Sequence, residues 1–182
     1  MLARKRKRRG CLYDKQRSVC DHYHGACGAV LLIMIKYYFE DFKVGDVSPI
    51  GERQITEEEI IAFATQFDPQ PFHVDRERAR ESKFGGIIAS GWHTCALAMR
   101  MMCDSYLHEA ASLGSPGVDE VRWLKPVRPM DTLRGERETI ETRPSTTKPD
   151  QGTVFSEWRI YNQHDELVMR MRGMGMFSRR PV

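Results

Sequence analysis

The sequence predicts an α+β domain in which a curved antiparallel sheet wraps around one long central helix. Three observations predict it. A single strand pattern precedes the helical stretches, the longest helical stretch is apolar on nearly every side in its first half, and after Gly117 the hydrophobic period changes from helical to alternating. The 182 residues, 41% hydrophobic and 29% charged, suit one compact domain and are too few for two comfortable cores. Eight Phe, six Tyr and three Trp argue against wholesale disorder and against collagen-like or coiled-coil classes. The longest apolar run, Gly28 to Ile35, has eight residues where a bilayer needs roughly 20, so no membrane span is expected.

Charge divides the chain near Met34. Eight basic and two acidic residues precede it, a net +6, leaving 20 basic and 23 acidic residues after it, a net −3. The six consecutive cations Arg4 to Arg9 cannot bury themselves, so residues 1–33 are expected to form a basic, disordered extension and residues 34–182 the folded domain. The basic balance belongs to that extension, and no nucleic-acid partner is expected for the domain. Cys11, Cys20, His22, His24 and Cys27 lack the paired spacing of a zinc site, so no metal is expected. Cys95 and Cys103 fall on one predicted helix. That argues against a disulfide framework and for a reducing, cytoplasmic setting.

The elements follow in order. Val47 to Gln54 reads as a strand. Thr56 with Glu59 three residues later forms a capping box that opens a helix of about three turns carrying Ile60, Ile61, Phe63, Ala64 and Phe67. Asp68-Pro69-Gln70-Pro71 ends it, because proline has no amide donor and restricts the residue before it. A short polar helix, about Asp75 to Ser82, precedes the glycine-bearing loop Phe84 to Gly91. The central helix is predicted from Gly91 to about Leu113, with Gly114 as a left-handed cap. Four strands follow: Val118 to Lys125, Thr132 to Thr142, Thr153 to Tyr161 and Leu167 to Phe177, the last two joined by a hairpin turn at Asn162-Gln163-His164-Asp165.

Two constellations point to chemistry. Asp68 and His73 lie five residues apart in a loop stiffened by two prolines, which can hold a carboxylate and an imidazole against one water molecule. Gly91 stands at the start of the most buried helix, where unpaired amides and the macrodipole can stabilise an oxyanion and where a ligand can approach the backbone. A turn-capping aspartate, a core histidine and a packing glycine would also account for these residues taken singly.

Taken together they carry a resemblance. Asp68-Pro69-Gln70-Pro71-Phe72-His73, then Phe84-Gly85-Gly86-Ile87-Ile88-Ala89-Ser90-Gly91, then Leu124-Lys125-Pro126-Val127, resemble the MaoC-like dehydratases, the (R)-specific enoyl-CoA hydratases of the hotdog fold. The likeness spans about Tyr38 to Phe177 and includes the opening Phe39-Glu40-Asp41-Phe42-Lys43-Val44-Gly45-Asp46. The family motif Asp-x-Asn-Pro-x-His places its acid on Asp68 and its imidazole on His73, and the oxyanion glycine falls on Gly91. Gln70 stands where the pattern has Asn, Ser90 where many members have His, and Met130-Asp131 where a Gly-Asp turn is usual.

The resemblance implies hydration of a trans-2-enoyl thioester to a (3R)-hydroxyacyl thioester, or the reverse, with Asp68, His73 and Gly91 catalytic. Gln70, Phe72, Phe84, Ser90 and Trp92 are candidate substrate contacts, with Ile87 and Met99 as further candidates for an acyl tunnel. Bulky Trp92 predicts short or branched acyl groups. Arg122, Lys125, Arg128 and Arg143 are candidates for the phosphates of coenzyme A, which enters as the substrate's thioester; no other cofactor is expected. A homodimer, or a dimer of dimers, is the expected assembly, because a lone sheet leaves edges to protect. The alternatives are a hotdog acyl-CoA thioesterase, disfavoured because the helix acids Asp104 and Glu109 lie far from its start, and a non-catalytic acyl-thioester binding module.

Overall fold

The computed structural model describes residues 34–181; the basic extension, with its candidate metal ligands, lies outside them. Strand β1 (Val47–Gln54) is followed by helix α1 (Glu57–Phe67), whose start is fixed by the expected capping box. The Thr56 hydroxyl accepts from the Glu59 amide at 3.2 Å and the Glu59 carboxylate accepts from the Thr56 amide at 3.0 Å. Two short helices, α2 (Pro71–Val74) and α3 (Arg76–Glu81), lead to the central helix α4 (Gly91–Ser105).

After α4 come β2 (Ser112–Gly114), β3 (Val118–Trp123), β4 (Thr132–Pro144), β5 (Gln151–Tyr161) and β6 (Leu167–Ser178). All pair antiparallel, in the order β1-β4-β5-β6, with β2 and β3 each bonded to β6. One face of this sheet meets α4. Leu97, Ala98, Met101 and Met102 of the helix are buried in one core with Ile50, Leu133, Ile160 and Met169 of the strands. Each of the Leu, Ile and Met side chains among them contributes about 1.5–3 kcal/mol through burial. This is the α+β hotdog architecture expected from the sequence.

The opposite face of the sheet is a lattice of charge. Arg159 bonds Glu136 and Glu138, each at 2.7 Å, and Arg172 pairs with Glu157. Arg122 and Arg143, considered for phosphate binding, are paired with Glu120 and Glu141.

Two expectations are corrected. The central helix stops at Ser105 instead of continuing to Leu113, because the sheet competes for the residues that follow. Tyr106 leaves helical geometry (φ −151°, ψ −30°), the Ala111 amide donates to the Tyr37 carbonyl at 2.8 Å, and Ser178 donates to the Ala111 carbonyl at 2.8 Å. Ser112 to Gly114 thereby become a sixth strand, and Gly114 uses its positive φ of 93° in a bulge against β6 and not as a helix cap. Secondly, His73 is not in a loop. Pro71 occupies the first position of α2, where its missing amide costs nothing, and the single turn carries His73. The hairpin at Asn162 to Asp165 is present, with the Asn162 side-chain oxygen accepting from the amides of His164 and Glu166 at 3.0 Å each. Met130, where the resemblance predicts a glycine, takes the left-handed conformation (φ 69°).

Candidate active site

The site forms where α1 ends, α2 turns and α4 begins. Asp68 is the residue that closes α1 and Ser90 the residue that caps α4, so two helix termini bring their polar groups together. Ser90 is fully buried. Its hydroxyl accepts from the Trp92 amide at 3.2 Å, the usual duty of a capping serine, and donates to Asp68 Oδ2 at 2.6 Å. Gln70 Nε2 donates to Asp68 Oδ1 at 2.8 Å. Both carboxylate oxygens are therefore held.

His73 is 5% exposed. Its Nδ1 lies 2.7 Å from the Ile88 carbonyl oxygen, which can only accept, so the Nδ1 proton is fixed there. In the neutral ring this leaves the lone pair on Nε2, which stands 3.4 Å from Asp68 Oδ2. The Ile88 backbone is itself pinned, its amide donating to the Phe72 carbonyl at 3.2 Å while the Ala89 amide donates to Val127 at 2.8 Å. One carboxylate oxygen and one imidazole nitrogen, each able to accept a hydrogen bond, thus stand 3.4 Å apart beside each other.

Burial pushes the Asp68 carboxyl up, but the hydrogen bonds from Ser90 and Gln70, with the nearby His73, outweigh it and hold the group below its ordinary value. A carboxyl depressed in the fold stabilises the protein above its unfolded value, about pH 4, and that contribution fades as pH falls through the folded value. Ser90→Ala removes the first of the depressing hydrogen bonds. It is expected to cost about 1 kcal/mol as a lost cap and to move the acid loss of stability to higher pH. Melting temperatures of both proteins between about pH 3 and pH 7 test this; curves that stay parallel throughout would contradict the assignment.

These groups open into a cleft of about 450 Å³ lined by Asp68, Gln70, His73, Phe84, Gly91 and Trp92, among others. The sequence candidates brought together are these six. Phe72 and Ser90 do not line it: Phe72 packs edge-on against the His73 ring, 4.5 Å between centroids, and Ser90 acts on Asp68 from behind. Ile87 is core, and Met99 borders a different cavity. Trp92 is 62% exposed, at the rim, edge-to-face with Trp123 at 5.4 Å. Of the four candidate cations only Lys125 borders the cleft, where it pairs with Glu166; Arg128 donates to the Phe84 carbonyl at 2.7 Å.

Gly91 occupies the first position of α4, so its amide has no intrahelical acceptor. Trp123, a residue the sequence did not single out, forms the wall beside it and donates its indole N–H to the Gly91 carbonyl at 2.9 Å. No local signal marks Trp123 or the Ile88 carbonyl, since both act through pairing set by the tertiary fold. Asp104, considered for thioester hydrolysis, bonds Arg100 at 2.7 Å near the far end of α4 and does not line the cleft. Among the described residues no group of three or more His, Cys, Asp or Glu is placed to hold a metal ion, and no helix is long and apolar enough to cross a membrane.

Comparison with known proteins adds a family. The MaoC like domain matches residues 45–156. The crystal structure of the MaoC-like dehydratase from Rhodospirillum rubrum is 40% identical, superposes with a TM-score of 0.75, and aligns with 81% of this chain and 100% of that one. The uncharacterized protein YdeM of Bacillus subtilis is 30% identical over 129 residues, 71% of this chain and 90% of its own. The 3-hydroxyacyl-thioester dehydratase Z of Mycobacterium tuberculosis is 34% identical over 112 residues, 55% of this chain and 74% of its own.

Proposed function

The chain belongs to the MaoC-like domain family, and from that premise we propose that it hydrates trans-2-enoyl thioesters to (3R)-hydroxyacyl thioesters, or runs the reverse dehydration. The observation that carries the reading is the pair of acceptors, His73 Nε2 and Asp68 Oδ2, 3.4 Å apart at the wall of one cleft that also contains Gly91. A water molecule that donates one hydrogen to each turns its oxygen toward the substrate.

In the proposed addition, the water oxygen bonds to Cβ while Nε2 takes its proton. The π electrons move toward Cα and the thioester oxygen, whose developing charge the Gly91 amide and the start of α4 stabilise. The dyad then returns one proton to Cα. Water is consumed, one C–O and one C–H bond form, and the protein regains its starting protonation. Because the nucleophile and the proton come from one shared site, both add to the same face.

Ser90 and Gln70 act as positioning residues for Asp68. The apolar wall, Phe84, Ile88, Trp123 and Val127, would take the acyl group, and Lys125 at the cleft would meet the negative end of the carrier. The direct experiment follows enoyl absorbance and free thiol together over a chain-length series of enoyl thioesters. Loss of absorbance without thiol release supports hydration; thiol release at the same rate would replace it with thioester hydrolysis.

We further propose a homodimer joined through the β3 edge. Within the described chain β3 is bonded only to β6, and Val118, Trp123 and Leu124 along it are about half exposed. Light scattering at micromolar concentration is expected to give twice the chain mass. A monomer would exclude this assembly.

A further inference from the structure

The segment that brings Phe84 and Ile88 to the cleft passes through two consecutive glycines, Gly85 and Gly86. Gly85 takes a positive φ of 67°, which glycine adopts at little cost, so local preference alone holds the chain there only weakly. On one side the segment is tied to the end of α3: the Phe84 amide donates to the Ser82 hydroxyl at 3.2 Å and the Gly85 amide to the Ser82 carbonyl at 3.0 Å. On the other, the Ala89 amide donates to the Val127 carbonyl at 2.8 Å.

Arg128 crosses the gap between these ties. Its Nη2 donates to the Phe84 carbonyl at 2.7 Å, and among the described residues no other donor reaches that oxygen. Its Nη1 lies beside Gly86, where a Cβ would stand 3.8 Å from it. The backbone of Arg128 is itself fixed. Its amide donates to Asp131 Oδ2 at 2.7 Å, and the buried Asp131 accepts from Gln163 Nε2 at 2.9 Å on its other oxygen. Residues 127 and 128 therefore grip the segment at both ends, one through the main chain and one through the side chain.

That grip reaches the dyad by two paths. The Phe84 ring meets the Phe72 ring at 5.1 Å, and Phe72 meets the His73 imidazole edge-on at 4.5 Å. Further along the same segment, the Ile88 carbonyl fixes the proton on His73 Nδ1. A shift of Phe84 would move the cleft wall and loosen the seat of the imidazole together.

We propose that Arg128 is a positioning residue, a clasp that holds Phe84 against the cleft and, through the same segment, the Ile88 carbonyl against His73. Its kinetic consequence rests on the hydratase reading; the clasp itself does not. Amide hydrogen exchange on the full chain tests the clasp. Arg128→Met keeps an unbranched stem and removes the donors. It is expected to speed exchange at the hydrogen-bonded Gly85 and Ile88 amides at least threefold while the amides of β4 and β5 keep their rates. Kinetics on the trans-2-butenoyl thioesters of coenzyme A and of N-acetylcysteamine, which carries no phosphate, test the role. In Arg128→Met kcat is expected to fall at least threefold on both with KM moved less than twofold, and Arg128→Lys, which keeps a donor, is expected to recover at least half of the lost rate. Unchanged exchange in Arg128→Met overturns the proposal, as does a loss confined to the coenzyme A thioester, which would make Arg128 a phosphate contact. Should the wild type hydrate neither thioester, the hydratase reading fails and the exchange rates alone uphold or overturn the clasp. Should Arg128→Met not fold, the shorter Arg128→Gln is judged by the same measurements.

Discussion

Asp68→Asn and His73→Gln should each lower turnover on the best enoyl thioester by about two or more powers of ten while leaving KM nearly unchanged. The two losses arise differently. Glutamine at 73 can reach the Ile88 carbonyl but has no basic nitrogen to receive a proton. Asparagine at 68 presents an amide where Oδ2 now stands 3.4 Å from Nε2. Its N–H can donate to that lone pair, occupying the base, and it also gives up the charge that steadies a protonated imidazole. The Ser90 hydroxyl and Gln70 amide, which now donate to the carboxylate, still find an oxygen only on one side. Steady-state kinetics on protein checked for a cooperative melt decides the matter, and wild-type turnover in either variant would sink the dyad.

How far the site could be read from sequence depends on how local each cause is. The capping box at Thr56, the break at Asp68-Pro69, and the hairpin at Asn162 are each completed by residues within five positions, and all three appear in the structure. The motif carried Asp68, His73 and Gly91 to one cleft through resemblance, not through periodicity. What local pattern could not give is set by distant partners. Ser90 reads as a helix cap, and only the fold reveals that its hydroxyl reaches Asp68, 22 positions earlier. The central helix overran in sequence because nothing between Ser105 and Gly114 announces that Tyr37 and Ser178 will claim Ala111. Arg137 lies in a strand rich in Thr, Arg and Glu that reads as a solvated face. Alternation nevertheless turns Glu136 and Glu138 outward and Arg137 in, so the same pattern hides a buried cation.

Gly91→Ala is the second large effect, and it tests position instead of chemistry. An alanine keeps the amide that would bind the thioester oxygen, yet its Cβ would lie 2.4, 2.7 and 2.8 Å from three atoms of the Trp123 indole. That ring cannot simply rotate away, since it donates to the Gly91 carbonyl at 2.9 Å and meets Trp92 edge-on. Either the indole swings out and opens the cleft wall, or the first turn of α4 shifts away from β3. Shifting α4 also drags Ser90, and with it the hydrogen bond that holds Asp68. The expected result is a loss of about 1–3 kcal/mol from overpacking and at least a tenfold fall in kcat/KM. A second substitution, Trp123→Ala, separates the causes. Added to Gly91→Ala it removes the obstructing ring, so stability should recover toward that of Trp123→Ala alone, with a positive coupling energy between the two sites. If Gly91→Ala matched the wild type in both melting temperature and turnover, the close approach of helix and indole could not be what places the amide beside the dyad.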